Sequence, residues 1–342
     1  MSLQPPQRLT PQERGKGGAF LDEKGKPRLG FARAQLLSGE EPDLATLKGL
    51  YSSWVNLVEF LVLVKIEGID KKTVVAVPCS KRGNEIYYRR NQIRFRHLWR
   101  NLEQKGGSLF DPHGNLKKTR LLFATLTWNS REVSLRTSWE SELSKRFNRW
   151  ISSVRMKYGK VSVIRSWEAF ESGYPHVQAM LYFHDQEFNV FRHGNKFRIQ
   201  EKEDLQCGYS SYVDVQAMHS WKGAVRYVGK YILKQLANEE FDDPEAANKQ
   251  LLTLALCWVF RKRSYSMSRD FVDLIARLRN SKAVRAQVDL FGARVMEIVS
   301  WVFVGVFSFH ELGIPPILRT QHIEPSREFW DRVEALERKK KF

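Results

Sequence analysis

The chain has 342 residues, with 56 Lys and Arg against 38 Asp and Glu, a formal net charge of +18 at pH 7. That length gives one large domain or two modest ones, with a core that needs no covalent staples. The basic excess, with 12% aromatic residues, argues for a polyanionic partner, nucleic acid above all, because phosphate neutralisation supplies most non-specific nucleic-acid affinity.

Residues 1–46 are rich in Pro, Gly, Lys and Gln and read as a flexible basic arm. From Leu47 to Ile66 an apolar pattern of helix length follows, and Thr73-Val-Val-Ala-Val77 reads as a buried strand. Residues 85–103 interleave cations with aromatics, including Tyr87, Tyr88, Arg89, Arg90, Arg94, Phe95, Arg96 and Trp99. Such a segment suits phosphate contact with base stacking, and equally a surface helix whose apolar side faces a core. These residues, to about 115, form an N-terminal accessory region with a DNA-binding role open to it.

After the turn signals at Gly106-Gly107 and Asp111-Pro-His-Gly114 the pattern becomes regular. Leu121–Thr127 reads as a strand and Trp139–Tyr158 as an amphipathic helix. Val161–Phe170 and Tyr174–Phe183 read as two strands around Glu171-Ser-Gly173, followed by a strand at Ser211–Val215 and a helix at Trp221–Gln235. The expected fold is α+β, a central antiparallel sheet with flanking helices. Pro244–Leu278 reads as helical, interrupted near Arg261-Lys262-Arg263, another basic candidate for DNA contact. An apolar strand at Ile298–Phe307 and a polar helix at Ser326–Lys339 fall in a C-terminal accessory region, 271–342.

Strand periodicity sends His176 and Gln178 to one face. With a hairpin pivoting near Ser172, Glu168 stands across from His176, its β-carbon about 5 Å away. Carboxylate, imidazole and amide oxygen then suit Mg²⁺ or Mn²⁺ with positions left open. A His-x-Gln pair in a strand is also compatible with a polar pair holding no metal. Further on, Tyr227 and Tyr231 lie one helical turn apart, each opening a Tyr-x-x-Lys with Lys230 and Lys234. At pH 7 only about one phenol in a thousand is ionised, a deficit of about 4 kcal/mol that a nearby ammonium or a Lewis acid on the phosphate can offset. The same residues also read as an ordinary amphipathic helix.

Three segments in order, Phe123–Thr127, Glu168 through His176 and Gln178, and Tyr227–Lys234, resemble the HUH endonuclease superfamily, in particular rolling-circle replication initiators of plasmids and small viruses. A segment at Trp258–Ser268 is similar to such initiators as well. Gln178 stands where most members carry a second histidine, and there are two tyrosines rather than one. The resemblance covers about 119–236 and implies an RRM-like nuclease palm, here within 116–270. It implies Glu168, His176 and Gln178 as metal ligands for Mg²⁺ or Mn²⁺, and Tyr227 or Tyr231 as nucleophile supported by Lys230 or Lys234. The implied activity is nicking and rejoining of single-stranded origin DNA, with a 5′-phosphotyrosine and a free 3′-OH. The implied partners are origin DNA and a host helicase and polymerase. Alternatives are an HUH-type transposase or relaxase, an inactive DNA-binding protein of the same fold, and an RNA-binding module.

Cys79, Cys207 and Cys257 are far apart, so neither a disulfide framework nor a zinc ribbon is supported. With no signal-peptide pattern and no apolar stretch long enough for a bilayer, the expectation is a cytoplasmic protein of a prokaryotic cell, plasmid- or virus-encoded, with no membrane role.

Overall fold

The structure is a computed structural model, and it describes residues 42–67, 71–89, 91–92, 109–111, 113–127, 133–207, 212–218, 244–270, 301–324, 327 and 329–331. In chain order its main elements are helix α1 (Leu44–Asn56), strands β1 (Glu59–Glu67), β2 (Lys71–Pro78) and β3 (Leu121–Leu126), and helix α2 (Leu143–Tyr158). There follow β4 (Val161–Ala169), β5 (Pro175–Phe183), β6 (Val190–His193), β7 (Lys196–Ile199) and β8 (Val213–Ala217). Helix α3 (Pro244–Val259), β9 (Tyr265–Met267), β10 (Trp301–Ser308) and β11 (Gln321–Ile323) complete the series. The fold is α+β, as expected, and divides into two compact units, residues 1–54 with 88–276, and 55–87 with 277–342.

The larger unit carries an antiparallel five-stranded sheet of order β8-β3-β5-β4-β9. One face is covered by α2, whose Phe147, Trp150, Ile151 and Val154 are buried at helical spacing. Arg165 and Trp167 of β4 lie on that face, the Arg165 guanidinium 4.3 Å from the Phe147 ring centre and 4.7 Å from that of Trp167. Burial lowers the Arg165 pKa to about 10, which leaves it cationic at neutral pH. The indole of Trp150 donates to Leu205 O and that of Trp139 to Gly173 O, both at 2.8 Å, so two fully buried indoles leave no N–H unsatisfied. The second bond fastens the β4–β5 turn to the entry of α2, where a short helical turn, Leu135–Thr137, passes through a π-turn at Ser138–Glu142.

The smaller unit is a four-stranded antiparallel sheet of order β10-β1-β2-β11. Its core gathers Val62, Val64, Val74, Val304 and Phe329. The helix expected over Leu47–Ile66 is corrected: it stops at Asn56, and β1 begins at Glu59. The reason is composition. Past Val58 the apolar residues are Phe, Val and Leu in a run that can alternate, and Phe60, Val62 and Val64 turn inward. Pairing of β1 with β10 unites two regions that the sequence reading kept apart as separate accessory segments.

Other element bounds differ less from those expected. The strand expected at Ser211–Val215 is Val213–Ala217. The helical region expected from Pro244 ends at Val259, in keeping with the interruption expected near Arg261–Arg263, but Tyr265–Met267 is a strand on the edge of β4, and residues 271–278 of that region lie outside the described residues. The β6–β7 hairpin was not expected at all. Among the described residues no helix is long and apolar enough to cross a membrane.

Candidate metal and nucleic-acid site

β5 is buried on both faces along nearly its whole length, yet two of its residues are polar: His176 and Gln178, 4% and 7% exposed. A buried polar side chain is costly without a partner, so where these two find partners is informative. The register is the one expected from the turn: Glu168 faces His176 directly, and Ser166 and Thr125 flank Gln178. All five point away from α2, opposite to Arg165 and Trp167, by strand alternation.

Nε2 of His176 lies in hydrogen-bond contact with Glu168 Oε2 at 2.8 Å, while its Nδ1 is buried with no hydrogen-bond partner among the described residues. The hydroxyl of Thr125 donates to Gln178 Oε1 at 2.8 Å, which fixes the amide plane and leaves that oxygen a second lone pair. Beside them the Ser166 hydroxyl is buried and likewise without a partner. Adjacent donors around octahedral Mg²⁺ stand about 3 Å apart, so the Glu168–His176 separation is close to that of two ligands sharing one cation. Among the described residues no three His, Cys, Asp or Glu side chains converge; the amide oxygen of Gln178 and the Ser166 hydroxyl are the further oxygen donors on this face. The donor set, two oxygens and an imidazole, is of the kind that hard divalent cations take.

The surroundings were not anticipated from sequence. Phe170, 39% exposed, stacks on the His176 ring at 4.4 Å between centres, and Lys249 of α3 lies 5.8 Å from the Phe170 ring. Thr253, one turn further along α3, accepts the Ala169 backbone N–H through its hydroxyl at 2.9 Å, seating α3 at the end of β4. On β8, Asp214 faces Thr125 and binds Arg198 and Gln216. Burial would raise the Asp214 carboxyl, but hydrogen bonds from Gln216 and Arg198 outweigh it and hold its pKa below the ordinary value.

Of the basic candidates, Arg89 is exposed in a helical segment, 85–89. Arg261 and Arg263 are exposed, whereas Lys262 donates from Nζ to Glu140 O at 2.7 Å and so braces the π-turn before α2. Arg90, Arg94 and Arg96 lie outside the described residues, as do Tyr227, Lys230, Tyr231 and Lys234. Comparison of the chain with known protein families, with curated proteins and with solved structures finds no match.

Proposed function

We propose that the protein nicks and rejoins single-stranded DNA through a tyrosine nucleophile assisted by Mg²⁺ or Mn²⁺, as an initiator of rolling-circle replication. The observation that carries this reading is the cross-strand pair of the partly buried Glu168 with the buried His176, beside a Gln178 amide that Thr125 holds in one orientation. The order of three sequence segments resembling HUH initiators, one of which holds this pair, and the net charge of +18 also support it.

When bound, the cation would polarise the scissile phosphate and neutralise charge that grows on its oxygens. Glu168, His176 and Gln178 would hold it, and Thr125 acts through Gln178 as a positioning residue. The hydroxyl of Tyr227 or Tyr231 attacks phosphorus; the Tyr O–P bond forms as the P–O3′ bond breaks. The phenolic proton leaves the nucleophile and the 3′ oxygen gains one, so the products are a 5′-phosphotyrosine and a 3′-OH able to prime synthesis. Lys230 and Lys234 favour the phenolate by their positive charge. Because the phosphotyrosine conserves the bond, attack by a 3′-OH rejoins the strand without a nucleotide cofactor.

The test uses 3′-end-labelled single-stranded oligonucleotides of randomised sequence with Mn²⁺ or Mg²⁺, followed by denaturing electrophoresis. A labelled protein adduct is expected, reduced in Tyr227→Phe or Tyr231→Phe and absent in the double variant. An adduct that persists in the double variant, or nicking without any adduct, would falsify the tyrosine mechanism.

A further inference from the structure

From Asn189 to Gln200 the chain runs Asn-Val-Phe-Arg-His-Gly-Asn-Lys-Phe-Arg-Ile-Gln, with three formal cations, one imidazole and no carboxylate. It folds as the β6–β7 hairpin, with Val190 facing Ile199 and His193 facing Lys196 across a two-residue turn, Gly194-Asn195. Gly194 has φ +60, suited to a tight hairpin turn, and a β-carbon there would meet nothing within 4 Å, so the tip stands in open space.

The root is anchored. Arg198 donates from Nη1 to Asp214 and, at 2.9 Å, to Val215 O, both on β8; Phe197 packs edge-on against Phe110, and Ile199 is buried. The tip is the reverse. Phe191 is 39% exposed, and Arg192, His193 and Lys196 are exposed too. Alternation sends Phe191, His193 and Lys196 to one face of the ribbon and Arg192 to the other.

We infer that the β6–β7 hairpin is a grip for double-stranded B-form DNA that enters a groove tip first. Cations leave both faces of the ribbon, which matches a groove with a phosphate wall on each side. Beyond the Arg198 anchor the ribbon runs two residues to the turn, about 7 Å, comparable with the ~8.5 Å depth of the B-form major groove, which admits a two-stranded ribbon. The major groove of A-form RNA is too deep and narrow for such an element. Single strands are held by successive stacking platforms, and this hairpin offers one exposed aromatic ring. Arg192 and Asn195 are also of the types that read guanine and adenine edges. Duplex binding is measured without cleavage, so this inference stands apart from the tyrosine chemistry.

The experiment titrates the full chain, without divalent metal, into a fluorescein-labelled DNA duplex about three helical turns long, between about 50 and 200 mM NaCl. The variants are Arg192→Gln/Lys196→Ala and, as a control on the exposed face of α2, Lys145→Ala/Arg149→Ala. The hairpin variant should bind duplex roughly tenfold more weakly, with the slope of log K against log salt smaller by about 2, and the control should match wild type. Unchanged affinity and slope in the hairpin variant overturns the inference, as does failure of the wild-type protein to bind duplex DNA. An equal loss in the control reduces the effect to general charge and overturns it as well. A loss confined to single-stranded DNA or to an RNA duplex, run in parallel, refutes the duplex-DNA commitment. Lys196→Ala alone keeps the Arg192–Gly194 hydrogen bond, and equal melting temperatures exclude misfolding as the cause.

Discussion

Thr125 donates its hydroxyl to Oε1 of Gln178 at 2.8 Å from the directly facing position of β3, so the first and second motif-like segments meet in a single hydrogen bond. Val in place of Thr125 keeps the shape and β-branching but removes the donor. Thr125→Val should cost about 1 kcal/mol in stability and free the amide to rotate. Under the proposed function it should lower metal-dependent nicking well beyond that stability loss, whereas Thr125→Ser retains activity. Nicking unchanged in Thr125→Val would mean that the orientation of Gln178 is irrelevant to the chemistry.

Glu168 and His176 can be tested without any activity. If they hold a cation, Mn²⁺ at about a hundred times its Kd adds about 2.7 kcal/mol to the folded state, read as a rise in melting temperature. Glu168→Gln retains the side-chain volume and loses the charge, and it should abolish most of that rise, as should His176→Ala. Equal metal-induced rises in wild type and both variants would locate the cation elsewhere.

Much of this arrangement was legible because its determinants are local. The Glu171-Ser-Gly173 turn sets the register of β4 and β5, and period-two alternation then brings Glu168, His176 and Gln178 to one face. The α2 stripe of Phe147, Trp150 and Ile151 was readable for the same reason. β1 was not, because an apolar run with no fixed period suits either state, and its partner β10 lies more than two hundred residues away. Phe170 and Lys249 were missed because tertiary packing alone brings α3 to the β4 end. The β6–β7 hairpin did carry a signal, Gly194-Asn195 between Phe191 and Phe197, a pattern that favours a two-residue turn.

Gly173 holds the site-bearing turn at φ +83, where a β-carbon would also lie 3.1 Å from one Leu135 methyl and 3.2 Å from a Leu44 methyl. Gly173→Ala combines backbone strain of about 1–2 kcal/mol with that crowding. Urea unfolding should show a lower midpoint with an unchanged slope. A midpoint equal to that of wild type would show that the turn adjusts freely.

Arg261 ends α3 in a left-handed conformation, φ +54, where glycine is the usual residue. The N–H of Lys262 bonds Cys257 O at 2.8 Å and that of Arg261 bonds Trp258 O at 3.2 Å, the paired bonds of a Schellman motif. Arg261→Gly relieves the strain and should stabilise the protein by about 0.5–1 kcal/mol. If Arg261 contacts nucleic acid, the same variant binds single-stranded DNA more weakly; a more stable variant with unchanged binding removes Arg261 from the interface.

Asp214 gives the expected pH dependence. Its folded-state pKa lies below the unfolded value of about 3.9, because hydrogen bonds from Gln216 and Arg198 outweigh the opposing effect of burial. A carboxyl depressed in this way contributes stability that is fully present above its unfolded pKa and is lost as pH falls through its folded value. Asp214→Asn should therefore cost about 1 kcal/mol at pH 7, at the modest end because the carboxylate keeps some contact with water. The difference between wild type and variant should shrink steadily below about pH 4. Unfolding curves at pH 7, 4 and 3 measure it. A difference that stays constant across that range would mean that the negative charge of Asp214, as distinct from its shape, does nothing for the fold.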